Sequence, residues 1–225
     1  MSELQKGLEK LRLRLDQMGL RVQQAVTEAF RAVKEGNVEA GAQIDAADTT
    51  IDREEVAIEQ ECIRFLALYQ PAAGDLRTIF TIVKINNDLE RIADKASRIG
   101  RRVKHVVAEN LRVKDYSGFE ELTQVVLEVL DKTVRLLSTA DVEAAREVIL
   151  SDKRIDEHYG RFTRAVLDNE KLRAGAAETV MTLIMLGRGC ERIGDLCANI
   201  AEDVIFWSTG DIVRHPGAFE GHAKE

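Results

Sequence analysis

Proline and aromatic residues are scarce in this chain of 225 residues, which contains 2 prolines, 1 tryptophan and 5% aromatic residues in total. Leu, Ala, Val, Ile, Glu and Arg predominate instead, and most of these favour helices. A low aromatic content disfavours sheets, in which aromatic side chains are enriched. No segment shows the alternation of a strand. The composition therefore predicts an all-α protein.

Cysteine is also scarce, and its placement excludes two kinds of site. The three cysteines Cys62, Cys190 and Cys197 are odd in number, and no two of them form a Cys-x-x-Cys motif. A disulfide framework or a thiolate metal site would use paired spacings, whereas isolated cysteines behave as small buried apolar residues. Free thiols are typical of a reducing compartment. We therefore expect a cytoplasmic protein.

Long apolar runs and a basic charge balance are both missing. No uncharged run approaches the roughly 20 residues that a membrane span needs. The N-terminal Met-Ser-Glu-Leu-Gln-Lys lacks an apolar signal core. The net charge is −7, whereas binding to nucleic-acid phosphates needs a basic face. These features predict no membrane insertion and no nucleic-acid partner.

What the chain does contain is an internal repeat. The sequence Asp48-Thr-Thr-Ile-Asp52 recurs 104 positions later as Asp152-Lys-Arg-Ile-Asp156. Further along, Glu90-Arg-Ile-Ala-Asp94 recurs 101 positions later as Glu191-Arg-Ile-Gly-Asp195. A period near 100 residues exceeds the roughly 20–50 residues of a solenoid unit and has the size of a small domain. The repeat predicts two homologous domains.

Each repeat contains three helical segments. The predicted helices run from Leu4 to Gly36, from the N-cap Asn37 to about Tyr69, from about Asp75 to about Asn110, from Gly118 to about Ser138, from the N-cap Asp141 to about Glu170, and from Gly175 to Gly210. Helices joined by short loops run antiparallel to their neighbours. We therefore predict two tandem homologous antiparallel three-helix bundles, at residues 1–110 and about 115–209, with a C-terminal tail at 210–225.

The repeated motifs place acids in pairs at positions i and i+4. Such pairs share one helix face, and like charges there destabilise the helix by a few tenths of a kcal/mol. In a chain with 32% charged residues, any single pair is most simply a solvated helix face. Four pairs in register suggest instead that carboxylates from neighbouring helices bind a cation. The eight candidate ligands are Asp48, Asp52, Glu90, Asp94, Asp152, Asp156, Glu191 and Asp195.

These motifs resemble those of the PhoU family, phosphate-transport accessory and regulatory proteins built from two three-helix bundles. The resemblance is carried by the acidic motifs above, by Gln70-Pro-Ala-Ala-Gly-Asp75-Leu-Arg77, by Asp88 before the first Glu-Arg-Ile, and by the tail Thr209-Gly-Asp-Ile-Val-Arg-His215. Two positions depart from the pattern: Ala93 replaces the usual Gly, and Gly189 replaces the first acid of the second long motif. The second site therefore has one carboxylate fewer.

The resemblance implies a cytoplasmic, dimeric regulator that represses phosphate uptake and the phosphate-starvation response. It implies contacts with the ATPase subunit of a phosphate transporter and with a sensor histidine kinase. It also implies metal ions on the acidic motifs. Oxygen ligands suit Fe, Mn, Mg or Ca, whereas Zn is less expected without His or Cys ligands.

Two alternatives remain open from the sequence. A helical-bundle metalloenzyme of the oxidase type would carry Glu-x-x-His pairs in its core, and none of the acidic motifs contains one. No Ser/His/Asp or Cys/His constellation is present either, so we predict no catalytic residues and no enzyme activity. The other alternative is a metal-free helical scaffold. Arg91 and Arg192, each next to a motif Glu, either neutralise the sites or form ordinary surface ion pairs.

Overall fold

The structure is a computed structural model that describes residues 2–109, 111, 113, 118–169 and 177–213. These residues form six α-helices and no strand, which confirms the all-α prediction. The helices are α1 (Glu3–Glu35), α2 (Val38–Tyr69), α3 (Ala73–Ala108), α4 (Phe119–Thr139), α5 (Val142–Leu167) and α6 (Ala177–Thr209). The sequence predicts a linker from Lys114 to Gly118, of which residues 114–117 lie outside the described residues. The predicted break from Glu170 to Gly175 and the tail beyond Val213 also lie outside them. No described helix is both long and apolar enough to cross a bilayer.

The helix ends form where the sequence supplies caps. Ser2 and Gln5 make a reciprocal capping box at the start of α1, and the side chain of Asn37 accepts the Ala40 N–H at the start of α2. Asp141 caps α5 by accepting backbone N–H groups of its first turn. These side chains satisfy donors that have no partner within the helix.

The helices form two bundles that share one core. Helices α1, α2 and α3 contact one another, as do α4, α5 and α6. In addition, α3 lies against α6 and α1 lies against α4. The buried apolar side chains of all six helices form one continuous cluster. The repeat predicted two tandem bundles, but it did not predict that their cores would join.

The interface between the bundles includes a buried aromatic anchor. Trp207 of α6 is 8% exposed, and its indole Nε1 donates to Thr78 Oγ1 of α3 at 3.1 Å. The guanidinium of Arg12 lies 4.6 Å from the centre of the same ring. An indole N–H that is buried in this way needs an acceptor, and Thr78 supplies it from the other repeat.

Within the first bundle, a glycine contact sets the separation of α2 and α3. A Cβ atom on Gly41 would lie 2.5 Å from the carbonyl oxygen of Gly100, and one on Gly100 would lie 2.8 Å from that of Gly41. Only two glycines allow backbones to approach this closely. This contact holds together the two helices that carry the first set of candidate ligands.

Candidate functional site

The eight candidate ligands lie along two helix pairs. We name as the first acidic seam Asp48 and Asp52 of α2 together with Glu90 and Asp94 of α3. The second acidic seam consists of Asp152 and Asp156 of α5 together with Glu191 and Asp195 of α6. In each motif the isoleucine between the acids is buried, which directs the flanking carboxylates toward the edge of the helix–helix contact.

In the first acidic seam the carboxylates act on each other across the two helices. Burial raises the pKa of Asp48, and the negative charges of Asp52 and, more weakly, Asp94 raise it further. Burial likewise raises the pKa of Glu90, followed by repulsion from Asp94 and Asp52. The carboxylates of α2 and α3 are therefore close enough to raise one another's pKa. An added cation would therefore relieve a repulsion that this seam contains.

Asp94 differs from its neighbours because two cations hold it. Its Oδ2 lies 3.0 Å from Lys95 Nζ, and its Oδ1 accepts Arg98 Nε at 3.0 Å. Burial alone raises the pKa of Asp94, but the hydrogen bonds from Lys95 and Arg98 outweigh it and leave the pKa lowered. A metal ion would have to compete with both side chains for these oxygens.

The second acidic seam contains carboxylate oxygens without hydrogen-bond partners. Burial raises the pKa of Asp152, and Asp156 and Asp195 raise it further. Burial also raises the pKa of Glu191, with Asp195 as the next cause. Asp152 Oδ1 and Glu191 Oε2 are buried and accept no hydrogen bond. Buried oxygen atoms in this state are costly, and coordination of a hard cation would satisfy them.

The two arginines of the repeated motif have different partners. Arg192 Nη1 lies 2.9 Å from Asp195 Oδ2, and its Nε lies 3.9 Å from Glu191 Oε2. Arg91 instead pairs with Asp88 at 2.8 Å. Of the two roles considered for these arginines, neutralising the candidate site therefore fits Arg192, whereas Arg91 serves an acid outside the eight.

A cavity of about 590 Å³ opens beside the second acidic seam. Its lining includes Asp152 and Asp195 of the seam, with Arg192 of α6 and Arg91 and Lys95 of α3. A hydrated ion can therefore reach the carboxylates of the second seam from solvent. The donor set there, all carboxylate oxygen, is the chemistry that Mg²⁺, Mn²⁺ and ferric iron prefer.

Neither seam is assembled as a finished coordination shell. Within the described ranges, no three or more His, Cys, Asp or Glu side chains are grouped so that they could hold a metal ion. The carboxylates are neighbours electrostatically, but their side chains would have to turn toward one point. The assignment of the eight acids as metal ligands stays a prediction.

Sequence reasoning missed a buried ion pair between the repeats. Asp203 of α6 is 1% exposed and forms a salt bridge with Lys84 of α3. The sequence does contain one indication of this pair. Asp203 falls on the same helical spacing as the buried residues of α6, between Ile200 and Trp207. Its partner was not predictable from local spacing because Lys84 lies 119 positions earlier in the chain.

Comparison with known proteins gives a family and a fold. The family model described as PhoU domain matches residues 15–103 and 119–204. Over 223 residues the chain is 37% identical to the phosphate-specific transport system accessory protein PhoU homolog of Aquifex aeolicus, covering 99% of this chain and 98% of that protein. Over 216 residues it is 30% identical to the phosphate-specific transport system accessory protein PhoU of Escherichia coli K12, covering 95% and 88%.

Solved structures with the name PhoU have the same fold as this chain. The crystal structure of PhoU from Pseudomonas aeruginosa matches with a TM-score of 0.88 at 32% identity, covering 93% of this chain and all of that one (100%). The phosphate transport system regulatory protein PhoU from Streptococcus pneumoniae, at 23% identity and a TM-score of 0.86, shows the same fold. The relatives from Aquifex aeolicus and Escherichia coli are named as accessory proteins, which confirms the prediction of a non-enzyme. Since the family model matches both repeats, this chain belongs to the PhoU family.

Proposed function

We propose that this protein is an accessory protein of a phosphate-transport system that represses phosphate uptake and the phosphate-starvation response. One observation carries the proposal: the chain matches a phosphate-specific transport system accessory protein along nearly its whole length, at 37% identity over 223 residues. Both repeats are included in that match, so the proposal concerns the complete two-bundle unit. It is a regulatory function exercised through protein contacts.

The proposed partners are the ATPase subunit of the transporter and the sensor histidine kinase of the phosphate response, and the proposed assembly is a homodimer. The proposal places these contacts in the cytoplasm. Three buried free cysteines suit such a reducing compartment. Exposed apolar side chains on α2, among them Ile63 and Leu68 at 57% and 63% exposure, are available for contacts between proteins.

Metal ions on the two acidic seams are the second part of the proposal. The cations considered are Mn²⁺, Mg²⁺ and iron, with Zn²⁺ less favoured because no His or Cys belongs to the seams. A bound cation would neutralise carboxylates whose pKa values burial and mutual repulsion raise. It would also join α2 to α3, or α5 to α6. The two buried oxygens of Asp152 and Glu191 that accept no hydrogen bond from a described residue favour the second seam.

The regulatory part is tested by deleting the gene and every further copy in the genome. At high phosphate the deletion strain should express its starvation genes, and the chain supplied on a plasmid should restore repression. Capture of the ATPase subunit or the kinase on the tagged protein would support the partner assignment. An unchanged starvation response at high phosphate would refute the proposed repression.

The metal part is tested by metal analysis and thermal unfolding of the purified protein. A ligand at about 100 times its Kd stabilises a fold by about 2.7 kcal/mol, which corresponds to a rise in Tm of roughly 5–10 °C for a chain of this size. We expect this rise with Mn²⁺ and its loss with chelator. The double variants Glu90→Ala/Asp94→Ala and Glu191→Ala/Asp195→Ala should each remove one seam's share.

A matched control removes two acids elsewhere. Glu9 and Glu35 are exposed on α1, and Glu9→Ala/Glu35→Ala changes the net charge equally without touching either seam. The control should keep the full metal content and the full Tm shift. If the seam variants also keep both, the acids are solvated surface, and the metal-free scaffold is the correct description.

A further inference from the structure

A groove of about 250 Å³ lies between α3 and α6 at the junction of the two bundles, and its charge is opposite to that of the whole protein. We name it the cationic groove. Its lining consists of Lys95, Arg98, Ile99 and Arg102 of α3 and Met185, Arg188, Gly189 and Arg192 of α6. Five of these eight side chains are cationic and none is acidic, although the chain carries a net charge of −7.

The helical spacing explains why the cations converge. On each helix the four lining positions follow the spacing i, i+3, i+4 and i+7, which is one face of a helix. The two faces run antiparallel, because Arg102 contacts Met185 near one end and Ile99 contacts Gly189 in the middle. A Cβ on Gly189 would lie 3.0 Å from Ile99 Cδ1. Ile99 and Gly189 thus form a narrow apolar floor, and the cationic side chains of α3 and α6 lie on either side of it.

Two of these cations have no acid of the described ranges within salt-bridge distance. Arg102 Nη2 donates to the thioether sulfur of Met185 at 2.7 Å, and a thioether is only a weak acceptor. Among the residues that the structure describes, neither Arg102 nor Arg188 forms a salt bridge. Burial lowers the pKa of Arg102, and repulsion from Arg98 and Arg101 lowers it further. A half-buried guanidinium without a carboxylate is unfavourable. An anion bound in the groove would offset this cost.

The remaining three cations each have a carboxylate on the side of the acidic seams. Lys95 and Arg98 pair with Asp94, and Arg192 pairs with Asp195. A guanidinium has five donors and a lysine ammonium has three, so these single partners leave further donors for the groove. The anion would therefore meet donors from both rims.

We propose that the cationic groove binds a linear phosphate chain, either inorganic or as the phosphate tail of a nucleotide. Guanidinium groups match phosphate oxygens in paired hydrogen bonds. The stripe from Lys95 to Arg102 covers seven residue-to-residue steps, or about 10 Å along the helix. A single phosphate covers only part of that length, whereas a chain of phosphates places charge beside each cation. The site uses none of the eight seam acids and goes beyond the proposed function.

The proposal is tested by calorimetric titration of the chelator-treated full chain with sodium triphosphate, ATP, orthophosphate and a poly-glutamate peptide at about 0.15 M ionic strength, where surface charge is screened beyond about 8 Å. Triphosphate should bind at least about tenfold more tightly than orthophosphate, a difference of about 1.4 kcal/mol. If ATP and triphosphate bind with equal affinity, an inorganic phosphate chain is sufficient for binding and the nucleoside adds nothing. A clear preference for ATP identifies a nucleotide.

Variants locate the site. Arg102→Gln/Arg188→Gln should weaken triphosphate binding by at least about tenfold, because charge-assisted hydrogen bonds are the strong ones. Arg21→Gln/Arg31→Gln removes two exposed arginines of α1 and should leave the affinity within about twofold. The single variant Arg188→Glu, at an exposed position, repeats the test if the double variant fails to fold.

Four results would overturn the proposal. These are no binding of triphosphate, equal binding of orthophosphate, tighter binding of the poly-glutamate peptide, and an equal loss in the Arg21→Gln/Arg31→Gln control. The last would show that binding reflects overall charge rather than the groove.

Discussion

Replacing glycine by alanine should change the stability of the fold in opposite directions at two positions. One is Gly41, at the close contact of α2 and α3, and the other is Gly160 of α5. Replacing Gly41 by Ala places a methyl group 2.5 Å from the Gly100 carbonyl oxygen and 3.2 Å from Val103 Cγ2. The nearest obstacle is backbone and cannot rotate away, so the helices must move apart. Overpacking of this kind costs about 1–3 kcal/mol, against a gain of about 1 kcal/mol from replacing glycine in a helix.

Gly160 is the matched control. It lies inside α5, and a Cβ there would have no atom within 4 Å. Gly160→Ala should therefore stabilise the fold by about 0.5–1 kcal/mol, whereas Gly41→Ala should destabilise it by up to about 2 kcal/mol after the two contributions are combined.

Thermal and urea unfolding measure both changes. For a chain of this size, about 1 kcal/mol shifts Tm by roughly 2–4 °C. Gly41→Ala should therefore lower Tm by up to roughly 8 °C, and Gly160→Ala should raise it by a few degrees. If both variants raise Tm equally, the backbones of α2 and α3 are not in the contact that the structure shows.

Two further predictions concern the interface between the repeats and the second acidic seam. Thr78→Val should destabilise the protein by about 1–3 kcal/mol, because it leaves the buried Trp207 N–H without its acceptor. The fluorescence of this single tryptophan should change as well. A loss of stability no larger than that of the variant Thr27→Val, at an exposed position, would contradict the reasoning. Asp152→Asn should raise the free energy of unfolding of metal-free protein at pH 7, because the folded-state pKa of Asp152 lies above the ordinary value and ionisation penalises the fold. This gain should disappear below about pH 4, where the carboxyl is protonated in both states, and a gain that does not depend on pH would refute the assignment.

The helices could be predicted closely because their signals are local. Gly36 ends α1 in a left-handed conformation, and Asn37 and Asp141 begin the following helices as N-caps. The third helix begins at Ala73 rather than near Asp75, a small difference that arises because its N-cap makes no side-chain hydrogen bond. Capping and apolar spacing thus predict element bounds without any tertiary information.

The contacts between the repeats could not be predicted in the same way. The Trp207–Thr78 hydrogen bond joins residues 129 positions apart, and the Lys84–Asp203 pair joins residues 119 positions apart. An internal repeat shows that two units are similar, but it contains no information on how one unit lies against the other. The shared core and the cationic groove both arise from that arrangement.

The acidic motifs illustrate the limit for the candidate site. Spacing at i and i+4 correctly places each pair of acids on one helix face, and packing brings the faces of neighbouring helices together. Whether the carboxylates then hold an ion depends on their other partners, such as Lys95 and Arg98 on Asp94. Those partners are set by rotamers and by the second repeat. The pattern therefore predicts where the acids lie and leaves their chemistry to experiment.

Several departures from the repeat account for the unequal charge along the α3–α6 contact. The groove cations Lys95, Arg98 and Arg102 of α3 are replaced 101 positions later, in α6, by Leu196, Asn199 and Asp203. With the offset of 101, Asp88 of the first repeat corresponds to Gly189 of the second. Asp88 pairs with Arg91 at 2.8 Å, so that arginine has a counter-charge beside it. At Gly189 there is no carboxylate and no Cβ, and Ile99 occupies the space. The absence of this acid and the α3 cations that the second repeat lacks together explain why a cationic groove forms at this end of the α3–α6 contact and not at the other.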